Sequence, residues 1–310
     1  MVHKTDQTER QSYFREVVDK LKSNKLALAG LTFFLLEALV VIILPLIMPL
    51  DPITSDPLAF NAKPGPGHPL GTDPIGRDLF ARLVYGGRVS LQVGVVSTLI
   101  SLVLGVPVGL LAGYYRGMVE MVVMRIADIF MSFPSIVLIL VLVSVIGPSI
   151  WSVTFVIGIL GWTTFARLIY ANVLSVMEKE YVESARAIGT KDFTTITRYV
   201  LPNAFPPVLI TVTFSVASAI LLESALSFLG MGVQPPAASW GNLLYNAQSI
   251  TVLSRQPWAW LPPGIAIMLT VLSINFFGDG IRDALDPKAR VRRFKRPRAW
   301  KRAKAESADN

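Results

Sequence analysis

The sequence predicts an all-α membrane protein of six transmembrane helices, and three observations carry that prediction. Of 310 residues, 52% are hydrophobic and 16% charged, whereas a soluble domain carries about a quarter charged residues. Mean hydropathy is +0.53, and too few charged side chains remain to cover the cores that a soluble chain of this length would bury. The third observation is that lysine and arginine collect at alternate turns between long apolar runs. The composition also excludes several chemistries. With no cysteine, disulfides, thiolate metal sites and cysteine nucleophiles are ruled out. His3 and His68 are the only imidazoles, and both lie in polar segments far apart in sequence, which argues against a histidine metal site or a Ser-His-Asp triad.

Taken in order, residues 1–25 form a basic N-tail. Leu26 to Leu50 follows with Glu37 as its only charge, and it exceeds the roughly 20 apolar residues that span a bilayer at about 1.5 Å rise each. The run is too long for the core of a cleaved signal peptide, about 7 to 15 residues, and it ends in Pro-Leu-Asp-Pro rather than at a small-residue cleavage site. Residues 51–88 begin rich in Pro, Gly and Asp, which predicts a loop leading into an amphipathic stretch from Asp78 to Tyr85. The core of the chain, 89–279, then holds five spans. These are Val89 to Gly113, Ile129 to Ile146 with a polar approach from Val119, Trp151 to Val176, Ala204 to Gly230 interrupted only by Glu223, and Trp258 to Gly278. Between the last two, residues 232–257 carry Pro235, Pro236 and Trp240, with Trp258 and Trp260 just after. That composition predicts an interfacial cap held at headgroup level. The chain closes on a basic tail, 280–310.

Orientation follows from the basic residues, which collect on cytoplasmic flanks. Placing both termini in the cytoplasm leaves only Lys63, Arg77, Arg82, Arg88 and Arg255, of 29 lysines and arginines, on the outside. The segments 51–88 and 232–257 are then external, and the loop 177–203 is internal. The run Arg290 to Lys304 reads as topology and contact with anionic membrane lipid, with no nucleic-acid partner.

Two segments show a pattern beyond the span itself. In the second span Gly94, Thr98, Ser101, Gly105, Gly109 and Gly113 fall on one helical face, where backbones can approach closely. The face serves either packing within the chain or an interface with a second membrane subunit, and Pro107 should kink the helix. In the internal loop, Tyr181, Ala185 and Ile188 share the apolar face of a short helix that ends at Gly189, a natural left-handed cap. A second helix can start near Thr190 to Asp192, with Phe193, Ile196 and Val200 on its apolar face, and should stop before Pro202. This helix-glycine-helix knob has more apolar surface than a solvated loop requires, so it needs a partner.

Those residues carry a resemblance. Glu183-Ser184-Ala185, then Gly189, then Leu201-Pro202 resemble the EAA loop of binding-protein-dependent ABC importer permeases, with Ser184 in place of the usual alanine and Tyr199 where isoleucine or histidine is usual. Gly71-Thr72-Asp73-Pro74-Ile75-Gly76-Arg77-Asp78 with Gly87-Arg88-Val89-Ser90-Leu91 is similar to the entry to the second span in the C-type permease of dipeptide, oligopeptide and nickel importers. Ala112-Gly113-Tyr114, Met124-Arg125, Asp128, Ser132-Phe133-Pro134, Leu226-Ser227-Phe228-Leu229-Gly230, Ser239-Trp240-Gly241 and Gly278 to Pro287 extend the likeness over nearly the whole chain.

The resemblance implies the type I ABC importer permease fold in a bacterial or archaeal cytoplasmic membrane. It implies four kinds of partner: a homologous second permease subunit, two cytoplasmic ABC ATPase subunits, an extracytoplasmic solute-binding protein, and membrane lipid. Tyr181, Glu183, Ser184, Ala185, Ile188, Gly189, Leu201 and Pro202 would form the ATPase-coupling loop, with Gly189 supplying the turn, Ala185 allowing close approach and Glu183 capping or pairing. The cargo implied is a di- or oligopeptide, with a nickel or other metal chelate as the alternative. No cofactor is expected on this chain, ATP and Mg residing on the partner subunits, and the chain is not itself an enzyme. Gly189-Thr190-Lys191 lacks the rest of a phosphate loop, and no other catalytic motif stands in a credible context. A stand-alone secondary transporter is the rival class, but it has no use for the knob. Ionisable groups inside spans are costly and usually face protein or water. Asp128, Arg167, Glu223 and Asn275 are therefore candidates for the pathway. Asp128 and Arg167 fall at similar depth and can pair, Glu223 has Ser218, Ser224 and Ser227 near it in sequence, and Glu37 reads as structural.

Overall fold

Among the described residues, five helices are long and apolar enough to cross a membrane, and a sixth candidate is a pair of helices meeting at a sharp bend. The coordinates are a computed structural model that describes residues 18–285. Most of the N-tail and the basic run Arg290 to Lys304 therefore lie outside the described residues. Helix α1 is Lys25–Ile47, α2 Leu79–Tyr115, α3 Gly117–Met131, α4 Ser135–Ile146 and α5 Ile150–Met177. Then come the short α6, Glu180–Ala187, and the long α7, Pro206–Phe228. Two short helices, α8 at Trp240–Tyr245 and α9 at Ile250–Arg255, precede α10, Pro257–Leu285.

The most extensive packing joins α2 to α5, and the small-residue face of α2 is what permits it. A Cβ added at Gly105 would lie 2.7 Å from Phe165 Cβ, and one at Gly113 would lie 2.8 Å from Val173 Cγ1. Gly94 makes the same kind of approach to Ile220 of α7, 2.6 Å from a built Cβ. The stripe is therefore used inside the chain, where lipid offers no hydrophobic force and close van der Waals contact must hold helices together. α7 packs between α2 and α10, and α1 lies on the outer flank of α10. Only Ala27, Gly30 and Val41 of α1 are buried, so this helix is an addition to the bundle. Glu37 accepts a 2.8 Å hydrogen bond from the Thr270 hydroxyl of α10, which satisfies it inside the packing.

Three boundaries differ from the sequence reading. The stretch Asp78 to Tyr85 is not a separate element, because Asp78 caps α2 by accepting from the Ala81 amide at 2.8 Å and the helix runs on for 37 residues through Pro107. At about 1.5 Å per residue it is ~55 Å long, well beyond a hydrocarbon core of about 30 Å. The run Ile129 to Ile146 is not one helix, since the chain bends by 87° between α3 and α4. Pro134 is the cause: the residue before a proline is driven out of the α region. The pair still joins opposite ends of the bundle. Gly113 near the end of α2 meets Val173 near the end of α5, so these two helices are parallel, and 117–146 must travel from the far end of one to the start of the other. Third, Trp240 is not an interfacial anchor. It is 1% exposed, its ring lies against Gly87, and its Nε1 donates to the Leu83 carbonyl at 3.0 Å.

Candidate functional site

The knob stands at the end of the bundle where α5 stops and α7 starts. Its turn is a complete Schellman motif: the Gly189 amide donates to the Arg186 carbonyl at 3.0 Å and the Thr190 amide to the Ala185 carbonyl at 3.1 Å. Gly189 takes φ +75°, which a residue without Cβ adopts freely. After the turn the chain is helical in three consecutive pieces, Asp192–Thr194, a π-turn at Thr195–Val200, and Leu201–Ala204. The expected stop before Pro202 does not occur. Pro202 falls in the first turn of the last piece, where a missing N–H costs no intrahelical bond.

The apolar face of α6 also differs from the expectation. Ala185 points into the chain with Val182, at 5% and 0% exposure, and Val182 and Val200 join the core formed by Tyr114, Val173 and Val208. Val182 and Ala185 are spaced i, i+3, so the buried face keeps Ala185 and takes Val182 in place of Tyr181 and Ile188. The outward face consists of Ile188, 82% exposed, Phe193, 78%, and Tyr181, 44%. Glu183 and Ser184 are exposed beside it, Leu201 is half-buried and Pro202 exposed.

One residue fastens the knob to the bundle. Tyr114, in the last turn of α2, donates its hydroxyl to Asp192 Oδ1 at 2.6 Å, and the Arg186 guanidinium lies 5.7 Å from its ring centroid. Both halves of the knob are thus held by one side chain, by a charge-assisted hydrogen bond on one side and a cation–π contact on the other. Nearby, Arg167 of α5 pairs with Asp128 of α3 and Tyr170 bonds Glu120. These side-chain bonds join α3 to α5 at the same end.

The opposite end of the bundle is organised by two carboxylates. Asp73, 1% exposed, accepts from the Ile75 and Arg77 amides at 3.0 Å each and from Arg77 Nε at 2.7 Å. Arg82 Nε lies 3.7 Å from it, and Arg82 also donates to the Pro52 carbonyl at 3.1 Å. The motif Gly71 to Asp78 is therefore a turn wound around one buried aspartate and tied to the first turns of α2. Glu223 is 0% exposed. It accepts from Ser90 at 2.9 Å and Ser227 at 2.6 Å, while Ser90 accepts from the Trp240 amide at 3.2 Å. That network binds α2, α7 and α8 together. Glu223 is separated from Asp128 and Arg167, which lie toward the knob, and Asn275 is half-buried on α10.

Long apolar helices around a glycine-packed pair, with a helical knob at one end and a structured loop at the other, define a multi-pass membrane component. Residues 105–291 match the family described as binding-protein-dependent transport system inner membrane component, and residues 12–64 match the N-terminal TM domain of oligopeptide transport permease C. The chain is 42% identical over 273 residues to a protein of Brucella suis named as a peptide permease, covering 88% of this chain and 90% of that one. It is 40% identical over 283 residues to the dipeptide transport system permease protein DppC of Alkalihalophilus pseudofirmus, covering 91% and 92%. Among solved structures, the inward-facing MetNI methionine ABC transporter aligns with a TM-score of 0.55 at 20% identity, over 66% of this chain and 97% of that one, a likeness of fold. The chain belongs to the inner-membrane permease components of binding-protein-dependent ABC importers, in the group of the dipeptide and oligopeptide C-type permeases.

Proposed function

We propose that the chain forms half of the translocation pathway of a peptide importer and couples it to ATPase subunits through the knob at 177–203. The observation that carries this reading is the outward apolar set of Ile188, Phe193 and Tyr181 on a rigid turn. Such a set at an aqueous end has no reason to exist unless a protein covers it. On this reading the knob end is cytosolic, as the basic residues require, and the loops 51–88 and 232–257 face outward to the binding protein. A second permease completes the pathway. Peptide cargo is supported by the names of the relatives.

Mechanically, ATP closes the two ATPase subunits and displaces whatever sits in their grooves. The knob follows as one body because its turn is fully hydrogen-bonded, and Tyr114 passes the displacement to α2. The test is a charge on the outward face. Ile188→Arg should leave insertion and pairing with the second permease intact, strip the ATPases from the purified complex and abolish dipeptide uptake into reconstituted vesicles. Wild-type uptake with ATPases still bound stoichiometrically would refute the coupling role.

A further inference from the structure

The bend between α3 and α4 places non-helical backbone at Ser132 to Pro134 level with Ser97 and Ser101, the middle of α2. At membrane depth such backbone is tolerated only where protein covers it or where it lines a water-filled space. This chain does not cover it: Phe133 is 56% exposed and Met131 48%. The bend opens instead on a cavity of about 440 Å³ walled by α2, α5 and α7, within the size of small-ligand sites, about 300 to 1,000 Å³.

The lining has one chemistry. Hydroxyls enter the cavity wall from every side, at Ser97, Ser101, Ser135, Thr164, Ser215 and Ser218, and no residue of the lining is charged. Ser97 donates to the Val93 carbonyl at 2.6 Å, and Ser101 to the carbonyls of Gly158 in α5 at 2.8 Å and of Ser97 at 3.0 Å, which leaves their lone pairs open. The hydroxyls of Ser135, Thr164, Ser215 and Ser218 make no hydrogen bond among the described residues. Between them stand Phe130, Leu160 and Leu222.

We infer that this hydroxyl-lined cavity is the solute-contact site of the chain and that it holds the main-chain amides of a peptide, whatever its side chains. The inference rests on the importer reading and names the chemistry of its pathway. A hydroxyl both donates and accepts, so a ring of them complements the N–H and C=O groups common to all peptides. Absence of fixed charge in the lining leaves acidic and basic side chains neither trapped nor excluded. Several weak neutral contacts also suit transit, which requires binding that is easily undone. Asp128, Arg167 and Glu223, the ionisable groups singled out from sequence, are not part of this lining.

The test uses the complete importer in vesicles, with binding protein and ATP. Thr164→Val, Ser215→Ala and Ser218→Ala combined should lower uptake of glycyl-leucine, glycyl-glutamate and glycyl-lysine alike by about tenfold, while ATP hydrolysis stimulated by the binding protein persists. Because the chain has no cysteine, Ser218→Cys gives a second readout: a small hydrophilic thiol reagent should modify it and block uptake, and Leu221→Cys on the same helix should not react. Unchanged uptake in the triple variant, a loss confined to one of the three dipeptides, or a Ser218→Cys that reacts only with a lipid-soluble reagent would overturn the inference. A wild-type complex whose ATP hydrolysis ignores the binding protein would instead overturn the importer reading on which it rests.

Discussion

Gly189 illustrates how much one residue can fix without touching anything. A Cβ built there meets no atom within 4 Å, so any penalty for replacing it is purely that of the backbone at φ +75°. Asparagine tolerates that region and a β-branched residue does not. Gly189→Asn should therefore transport at close to the wild-type rate, whereas Gly189→Val should lose about 1 to 3 kcal/mol in the turn and release the ATPases. The pair of variants, read by uptake and ATPase retention, separates conformation from volume. Glu223 is the opposite kind of residue, defined wholly by its neighbours. Glu223→Leu would strand two buried serine hydroxyls at a cost of about 1 to 3 kcal/mol each, while Glu223→Gln keeps a carbonyl acceptor and a donor for them. Thermal unfolding in detergent should show the leucine variant clearly less stable and the glutamine variant close to wild type. Neither the Ser90 contact nor the choice of the Val182 and Ala185 face over the Tyr181 and Ile188 face could be read from spacing along the chain. The first joins residues far apart in sequence, and the second depends on which face of an eight-residue helix the bundle happens to cover.

At the scale of elements, α6 and the end of α2 act together because Tyr114 joins them. Tyr114→Phe keeps the ring, and with it the contact to Arg186, but removes the bond to Asp192. ATP hydrolysis should continue while uptake per ATP falls severalfold, a slip between motor and pathway that Asp192→Asn should reproduce. If uptake and hydrolysis fell in proportion, Tyr114 would be a stability residue only. The sequence signalled the knob well, since apolar spacing, glycine and proline are local. It signalled the bend between α3 and α4 too, through Ser132-Phe133-Pro134, but hydropathy averages over a proline and reads the flanking runs as one span. What the sequence did not carry was the clasp itself: Tyr114 and Asp192 lie on different elements, and nothing in either segment announces the other.

For the whole molecule, the run of apolar segments made the helical bundle legible, because every lipid-exposed helix must satisfy its own backbone and so must be long and apolar. Helix ends were harder. Asp78 begins a helix well ahead of the apolar run, and α10 continues to Leu285, past the end of its run at Gly278, since a cap and aqueous turns need no hydropathy. The sidedness deduced from lysine and arginine is checked directly in this cysteine-free chain. An impermeant thiol reagent applied outside intact cells should label a cysteine placed at Leu58, which is 97% exposed, and should miss one placed at Ile188. The reverse pattern would invert the topology.

The length of α2 has a mechanical meaning. From its cap at Asp78 to Tyr114 the helix makes about ten turns at 3.6 residues each, so the structured loop and the knob are attached to nearly the same side of one rod. That rod is gripped along its length, where Gly87 meets Trp240, Gly94 presses against α7, and Gly105, Gly109 and Gly113 press against α5. On the proposed reading, a bar packed along its length and loaded at both ends on one side would move as one body, so that drawing on the knob would shift the loop and seating a protein on the loop would shift the knob. Opening toward one side of the membrane and closing toward the other would then become a single movement, with no chain of intermediate contacts needed to keep the two in step.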